Sequence, residues 1–160
     1  MDVLIRTASG RRWRHRSNVA SNFNGKVIVG DYQNGKIYEF DKTNYTDDGD
    51  YIQCLRRCQH LLNDLKYTYF SQLQIQFQEG VGLQSGQGSD PQAMLRLSDD
   101  GGQTYGNVHY ASIGKVGQYR NRSQWQRLGA ARDRVFEVTL TDPVFRVVVS
   151  ADLQSTAGLT

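Results

Sequence analysis

The sequence contains few of the residues that cross-link small folds or bind metals. It has two cysteines and two prolines in 160 residues. Cys54 and Cys58 are four positions apart, and in an extended strand their Cα atoms would lie about 13 Å apart, too far for a disulfide. His15, His60 and His109 are scattered, and no zinc-ligand spacing occurs. We therefore expect reduced thiols, at least one of them buried, and no metal site.

Long apolar runs and catalytic signatures are also missing. No window approaches the roughly 18 consecutive apolar residues of a membrane span. The first residues lack the features of a signal peptide, so we expect cytoplasmic synthesis unless the start is artificial. The glycine-rich residues 80–91 lack the Lys-Ser/Thr pair of a P-loop and the helix that a dinucleotide fingerprint needs. With no Ser-His-Asp or HExxH pattern either, we expect no enzyme activity and no cofactor.

The positive charge is modest and arginine-rich. The net charge is +3, with a pI near 8.9, which permits contact with nucleic acid without requiring it. A first basic cluster comprises Arg11, Arg12, Arg14 and Arg16 around Trp13. A second combines Arg120, Arg122, Arg127, Arg132 and Arg134 with Tyr119 and Trp125.

Arginine mixed with aromatic residues is typical of the centres of protein–protein interfaces. Alternation along a strand sends neighbouring side chains to opposite faces, so neither cluster automatically forms one patch. We favour a subunit interface over a DNA contact for the second cluster. The residues expected to contact a neighbouring subunit are Arg120, Arg122, Trp125 and Arg127.

The distribution of apolar residues predicts an all-β fold. Residues 26–32 and 36–40 flank an Asn-Gly turn, and residues 67–78 alternate between apolar residues and glutamines. Further strands are expected at 51–58, 93–97, 124–127, 132–140 and 144–151, with the valine run 147–149 buried on both faces. Only residues 61–66 have helical character, enough for a turn or two.

Residues 98–105, SDDGGQTY, fit the pattern S-x-D-x-G-x-T-aromatic. Short polar side chains that bond backbone groups, together with two glycines, predict a tight hairpin turn. We expect Asp100 to bind backbone amides and Tyr105 to fold back onto apolar surface. The pattern resembles the Asp box of β-propellers, whose role is structural. Its residues here are Ser98, Asp100, Gly102, Thr104 and Tyr105.

The segments SDDGGQTYGN, SIGKVGQY, WQRLG, ARDRVFEV and TDP occur in this order. Together they resemble the closing part of the packaged-DNA stabilisation proteins of short-tailed phages, which are tail hub or nozzle subunits. Residues 79–102 and NGKVIVGDYQNGKIYEFD near the start are similar to that family as well. Tyr105 and Tyr110 stand where tryptophan is expected in the family.

This resemblance implies an antiparallel β-sandwich or jelly-roll-like domain preceded by the last strands of a propeller. We therefore expect hairpins over residues 1–45, a closing sandwich over 46–153 and a flexible tail over 154–160. A chain with only the end of a propeller would be a fragment or a shortened relative.

The resemblance also implies a function. We expect a structural virion protein of the phage tail, made in the host bacterial cytoplasm, that helps to retain packaged DNA and conducts it during ejection. Its expected partners are copies of itself in a hexameric ring, the head–tail adaptor, the needle or plug and the tailspikes, with DNA as passing cargo and no membrane. The alternative is a carbohydrate-binding or adhesion module with an Asp-box hairpin. A sialidase-type glycosidase would need a complete propeller, and this chain is too short for one.

Overall fold

The computed structural model describes residues 2–6 and 12–158, with side chains from residue 14 onward. The described residues form fifteen β-strands and no helix. In chain order the strands are β1 Asp2–Arg6, β2 Arg12–Trp13, β3 Ser17–Phe23, β4 Lys26–Asp31, β5 Ile37–Glu39, β6 Thr46–Asp47, β7 Asp50–Arg57, β8 Leu61–Leu62, β9 Thr68–Phe77, β10 Gln92–Ser98, β11 His109–Ser112, β12 Ser123–Gln126, β13 Ala130–Ala131, β14 Asp133–Leu140 and β15 Val148–Ala157.

The strands form three antiparallel sheets. The largest has the order β11-β10-β14-β7-β1-β2, with β6 attached to β7 and β8 to β14. The second is built on β9, which pairs with β12 and β13 on one side and β15 on the other. The third contains only β3, β4 and β5.

The first two sheets pack face to face around one core. β9 contributes Phe70, Leu73, Ile75 and Phe77 to this core, while its glutamines face outward. The opposite sheet contributes Leu95 and other buried side chains of β7, β10 and β14. The Phe70 and Phe136 rings meet edge to face with centroids 5.7 Å apart, a favoured geometry for aromatic pairs. The all-β sandwich is therefore confirmed, as is the long alternating strand.

The third sheet contains the hairpin predicted over residues 26–40, preceded by a second hairpin in which β3 pairs with β4. Asn24 and Gly25 both have positive φ, 48° and 77°, as a two-residue type I′ turn requires. Residues 2–6 are not part of this unit, because β1 pairs with β7 in the largest sheet. The relation of the third sheet to a propeller blade stays a prediction.

Two local expectations are corrected. Residues 61–66 are not helical: β8 is followed by a tight turn in which Asp64 and Leu65 have positive φ, 46° and 58°. The last strand begins at Val148 rather than residue 144 and runs to Ala157. Residues 154–157 are thus not a tail, because Thr156 and Ala157 pair with Tyr69 and Thr68.

The valine run was expected in the wrong environment. Val147, Val148 and Val149 are all exposed, and the pairing of β15 with β9 is irregular between Val148 and Ser150. Both cysteines are free: Cys54 is buried in the core and Cys58 half-buried.

Candidate assembly surface

In the turn between β10 and β11, the carboxylate of Asp100 accepts hydrogen bonds from residues of the turn itself. Its Oδ1 accepts from the Ser98 hydroxyl at 2.7 Å and from the amides of Gln103 and Thr104 at 3.0 and 2.9 Å. Hydrogen bonds to the Asp100 carboxylate hold its pKa well below the usual range, and the bond from the Thr104 hydroxyl makes the largest contribution. Gly101 and Gly102 have φ of 71° and 87°, so the turn needs both glycines. Asp100 is thereby committed to local structure.

Tyr105 folds back against the largest sheet. Its ring lies against the guanidinium groups of Arg57 and Arg96, with centroid distances of 5.1 and 4.9 Å. Burial is the largest influence on its hydroxyl and raises the pKa of Tyr105. Cation–π contacts therefore anchor the turn to the largest sheet.

Beneath Tyr105 lies a buried carboxylate, Glu137, which is 1 % exposed. Its Oε2 accepts from Arg57 Nε at 2.7 Å, and its Oε1 lies 3.5 Å from Arg96 Nε. The three residues are cross-strand neighbours on β7, β14 and β10. The hydrogen bond to Glu137 is the largest cause of the raised pKa of Arg57. Sequence reasoning missed this cluster, because only strand register brings the three residues together.

The four residues predicted for a subunit interface do not share one environment. Trp125 is 5 % exposed and belongs to the core, where its Nε1 donates to the His109 carbonyl at 3.0 Å. The prediction that Trp125 contacts another subunit is corrected for this reason: β12 alternates, and its inward positions are Ser123 and Trp125.

Arg120, Arg122 and Arg127, in contrast, are exposed. Within the described part of the chain, none of the three forms a salt bridge. Asn121 holds the adjoining loop in place by donating to the Ser112 carbonyl at 2.7 Å. These three arginines are therefore exposed and have no counter-charge among the described residues.

The remaining arginines of the second cluster are structural. Arg134 is buried, donates to the Leu128 carbonyl at 2.7 Å and pairs with Asp99. Its guanidinium also lies 4.9 Å from the Phe70 ring centroid. Arg132 stacks on Tyr67 at 4.7 Å.

The first basic cluster also binds within the chain where the structure describes it. Arg14 stacks on Tyr32 at 4.0 Å, and Arg16 pairs with Asp48 at 2.9 Å and with Asp50. Lys36 reaches the same Asp48 at 2.8 Å, and its hydrogen bond lowers the pKa of that carboxyl. These ion pairs tie the third sheet to the β6–β7 turn. Arg11 lies outside the described residues, and the side chains of Arg12 and Trp13 are likewise not described.

An open groove of about 410 Å³ lies at the end of the largest sheet beside the glycine-rich loop. Its lining mixes amide, hydroxyl, carboxylate and aromatic groups, among them Gln87, Gln92, Tyr110, Thr141 and Asp142. Asp142 Oδ2 accepts from the Gln92 amide at 2.8 Å. No group of three or more His, Cys, Asp or Glu side chains in the described ranges is placed to hold a metal ion. Nor does this part of the chain contain a helix long and apolar enough to span a membrane.

Comparison with protein-family models identifies a match. The family model described as bacteriophage P22 Gp10, β-sandwich, matches residues 53–156. The matched range includes most of the two packed sheets, the Ser98–Tyr105 turn and the exposed arginines. A search of curated proteins found no match.

Proposed function

The chain belongs to the bacteriophage P22 Gp10 β-sandwich family, and on that premise we propose that it is a tail hub or nozzle subunit that helps to retain packaged DNA and lines part of its ejection path. The chain is a structural protein of the phage tail and a virion component. The family is not known as enzymatic. The proposal adds a ring of identical subunits, hexameric in the virion, in contact with adaptor, needle or plug and tailspike proteins.

The observation that supports this proposal is a contrast between arginines that pair with a carboxylate of the same chain and exposed arginines that do not. Arg16, Arg57, Arg96 and Arg134 are each paired with a carboxylate of the same chain. Arg120, Arg122 and Arg127 are exposed, and the described residues provide them with no such partner. An ordered exposed arginine retains its capacity for bidentate bonds to a neighbour's carboxylates. At a contact between subunits, such arginines can bind carboxylates of the neighbouring subunit.

The test is charge reversal at Arg120 and Arg122. We expect Arg120→Glu/Arg122→Glu to reduce the mass of the assembly, measured by light scattering, and to reduce incorporation into tails. The matched control, Lys42→Glu/Lys66→Glu, makes the same change in net charge at two exposed lysines and should leave both readouts unchanged. Wild-type mass and wild-type incorporation for the arginine variant would contradict the proposed interface.

A second candidate function rests on the groove near Tyr110. An exposed aromatic ring beside amide and carboxylate groups is suited to the apolar face and hydroxyls of a sugar, so the groove favours the carbohydrate-binding alternative. A glycan array tests this with the purified chain and Tyr110→Ala. Binding of the wild type that the variant loses would support this alternative, and absence of binding would remove it.

A further inference from the structure

Two strands of this chain have long edges that nothing in the described residues covers. β3 has seven residues and β15 has ten. β3 pairs only with β4, and β15 only with β9. The other strands at the ends of the three sheets, β2, β5, β11, β12 and β13, are two to four residues long. Short edge strands resist pairing with another chain, whereas long ones invite it.

The two long edges also lack the usual protective residues. Neither strand contains Lys, Arg or Pro, and Asp152 is the only charged residue in the two of them. Exposed apolar side chains accompany both: Val19 and Phe23 on β3, 67 % and 69 % exposed, and Val148 and Val149 on β15. Natural proteins ordinarily blunt exposed edges with charge, proline or cover. β3 has none of the three and β15 has only Asp152, so both edges are open to pairing with another strand.

Hydrogen bonding shows which backbone amides are available on β15. The Gly158 amide donates to the Tyr67 carbonyl, and the Gln154 carbonyl accepts from Ser71 Oγ, so both residues face β9. Because direction alternates along an antiparallel strand, the amides of Ala151, Leu153, Ser155 and Ala157 face the open edge.

The same reasoning applies to β3. The Phe40 amide donates to the Val27 carbonyl, so Val27 faces β5 and its neighbours on β4 face β3. Ser21 and Phe23 pair with those neighbours, Ile28 and Lys26. The amides of Ala20 and Asn22 therefore face away from the sheet.

We propose that the β15 edge of one copy pairs with the β3 edge of the next copy, adding backbone hydrogen bonds between subunits. Charge favours this pairing over β15 with β15, because β3 has no charged residue, whereas self-pairing would bring two Asp152 carboxylates close together. The contact uses two different surfaces and is heterologous, the type that generates a ring when its rotation closes. The inference rests on the proposed function and names the surfaces by which the ring is made.

The experiment blocks one edge at a time with proline, which removes the amide of an open edge while sparing the native ladder. Ala151→Pro blocks β15, and Ala20→Pro blocks β3. Ala151→Val and Ala20→Val keep the amide and serve as matched controls. Masses are measured by light scattering for each chain alone and for an equimolar mixture of the two proline variants.

We expect the wild type and both valine controls to assemble, and each proline variant alone to be monomeric. The mixture should give a dimer and nothing larger, because one intact β3 edge meets one intact β15 edge and no further edge is free. An Ala20→Pro variant that still dimerises alone would overturn the proposal in favour of β15 self-pairing. A monomeric wild type would overturn it too.

Retention of wild-type mass by both proline variants would overturn the edge contact while leaving the proposed function in place. If proline prevents folding, Val149→Lys and Asn22→Lys place a charge on each edge and must give the same pattern of masses. Hydrogen exchange provides an independent readout. The amides of Asn22 and Leu153, which both proline variants retain, should exchange at least tenfold more slowly in the wild-type assembly than in either monomeric proline variant, and equal rates would contradict the proposal.

Discussion

The buried carboxylate of Glu137 allows a quantitative test of how the largest sheet is stabilised. Replacing both arginines, in Arg57→Met/Arg96→Met, leaves a 1 % exposed carboxylate with no cationic partner among its cross-strand neighbours. Breaking a buried ion pair in this way costs about 3–5 kcal/mol. The opposite change, Glu137→Gln, leaves two guanidiniums whose side chains are 48 % and 38 % exposed. Water can solvate them, so we expect a cost of only about 1–2 kcal/mol, at the lower end for a charge-assisted hydrogen bond.

The assay is urea unfolding at neutral pH and 25 °C, with unchanged m-values as the check on two-state behaviour. The triple variant, Arg57→Met/Arg96→Met/Glu137→Gln, should regain part of the loss, because it no longer buries a charge. A double variant that loses less than Glu137→Gln would refute the reasoning.

Two further predictions concern the turn and the core. Asp100→Ala should lower the urea midpoint at neutral pH relative to the wild type. The pKa of Asp100 is depressed in the folded state. Its contribution to stability is therefore present above the unfolded pKa of about 4 and is lost as the pH falls toward the folded pKa. A difference in stability between wild type and Asp100→Ala that does not change with pH would contradict this role. Trp125→Ala should cost about 3–5 kcal/mol in unfolding free energy, and Trp125→Phe less. A Trp125→Ala chain with wild-type stability but impaired assembly would contradict the core role and support a contact of Trp125 with another subunit.

The strands were predictable where one face is buried and the other is wet. β9 is the clearest example, since its glutamines and apolar residues alternate and the structure puts them on opposite faces. The hairpin between β4 and β5 was predictable because turn residues separate two apolar runs, although positive φ occurs at Asn24–Gly25 and not at Asn34–Gly35. Val147–Val149 was misjudged because composition reveals apolar character, whereas exposure depends on what packs against each side chain.

The candidate site was predictable only in part, for a related reason. Arginine with aromatics indicated an interface, but the same composition fits a buried cation such as Arg134 between phenylalanine rings. Strand alternation puts Ser123 and Trp125 inside. Alternation alone would also put Arg127 inside, but β12 ends at Gln126 and Arg127 has a positive φ of 57°. Glu137 with Arg57 and Arg96 depends on the register of three strands distant in sequence, which no local pattern encodes.

The position of β15 beside β9 has a consequence for biosynthesis. Its partner, Thr68–Phe77, leaves the ribosome some seventy to ninety residues earlier in the sequence, and pairings of such long range form slowly. Until Val148–Ala157 emerges, one side of β9 has no neighbouring strand and a nascent chain carries an incomplete sheet. Only a chain translated through β15 has a complete second sheet to present to neighbouring subunits. Truncated products should therefore be degraded by proteases rather than incorporated into tails.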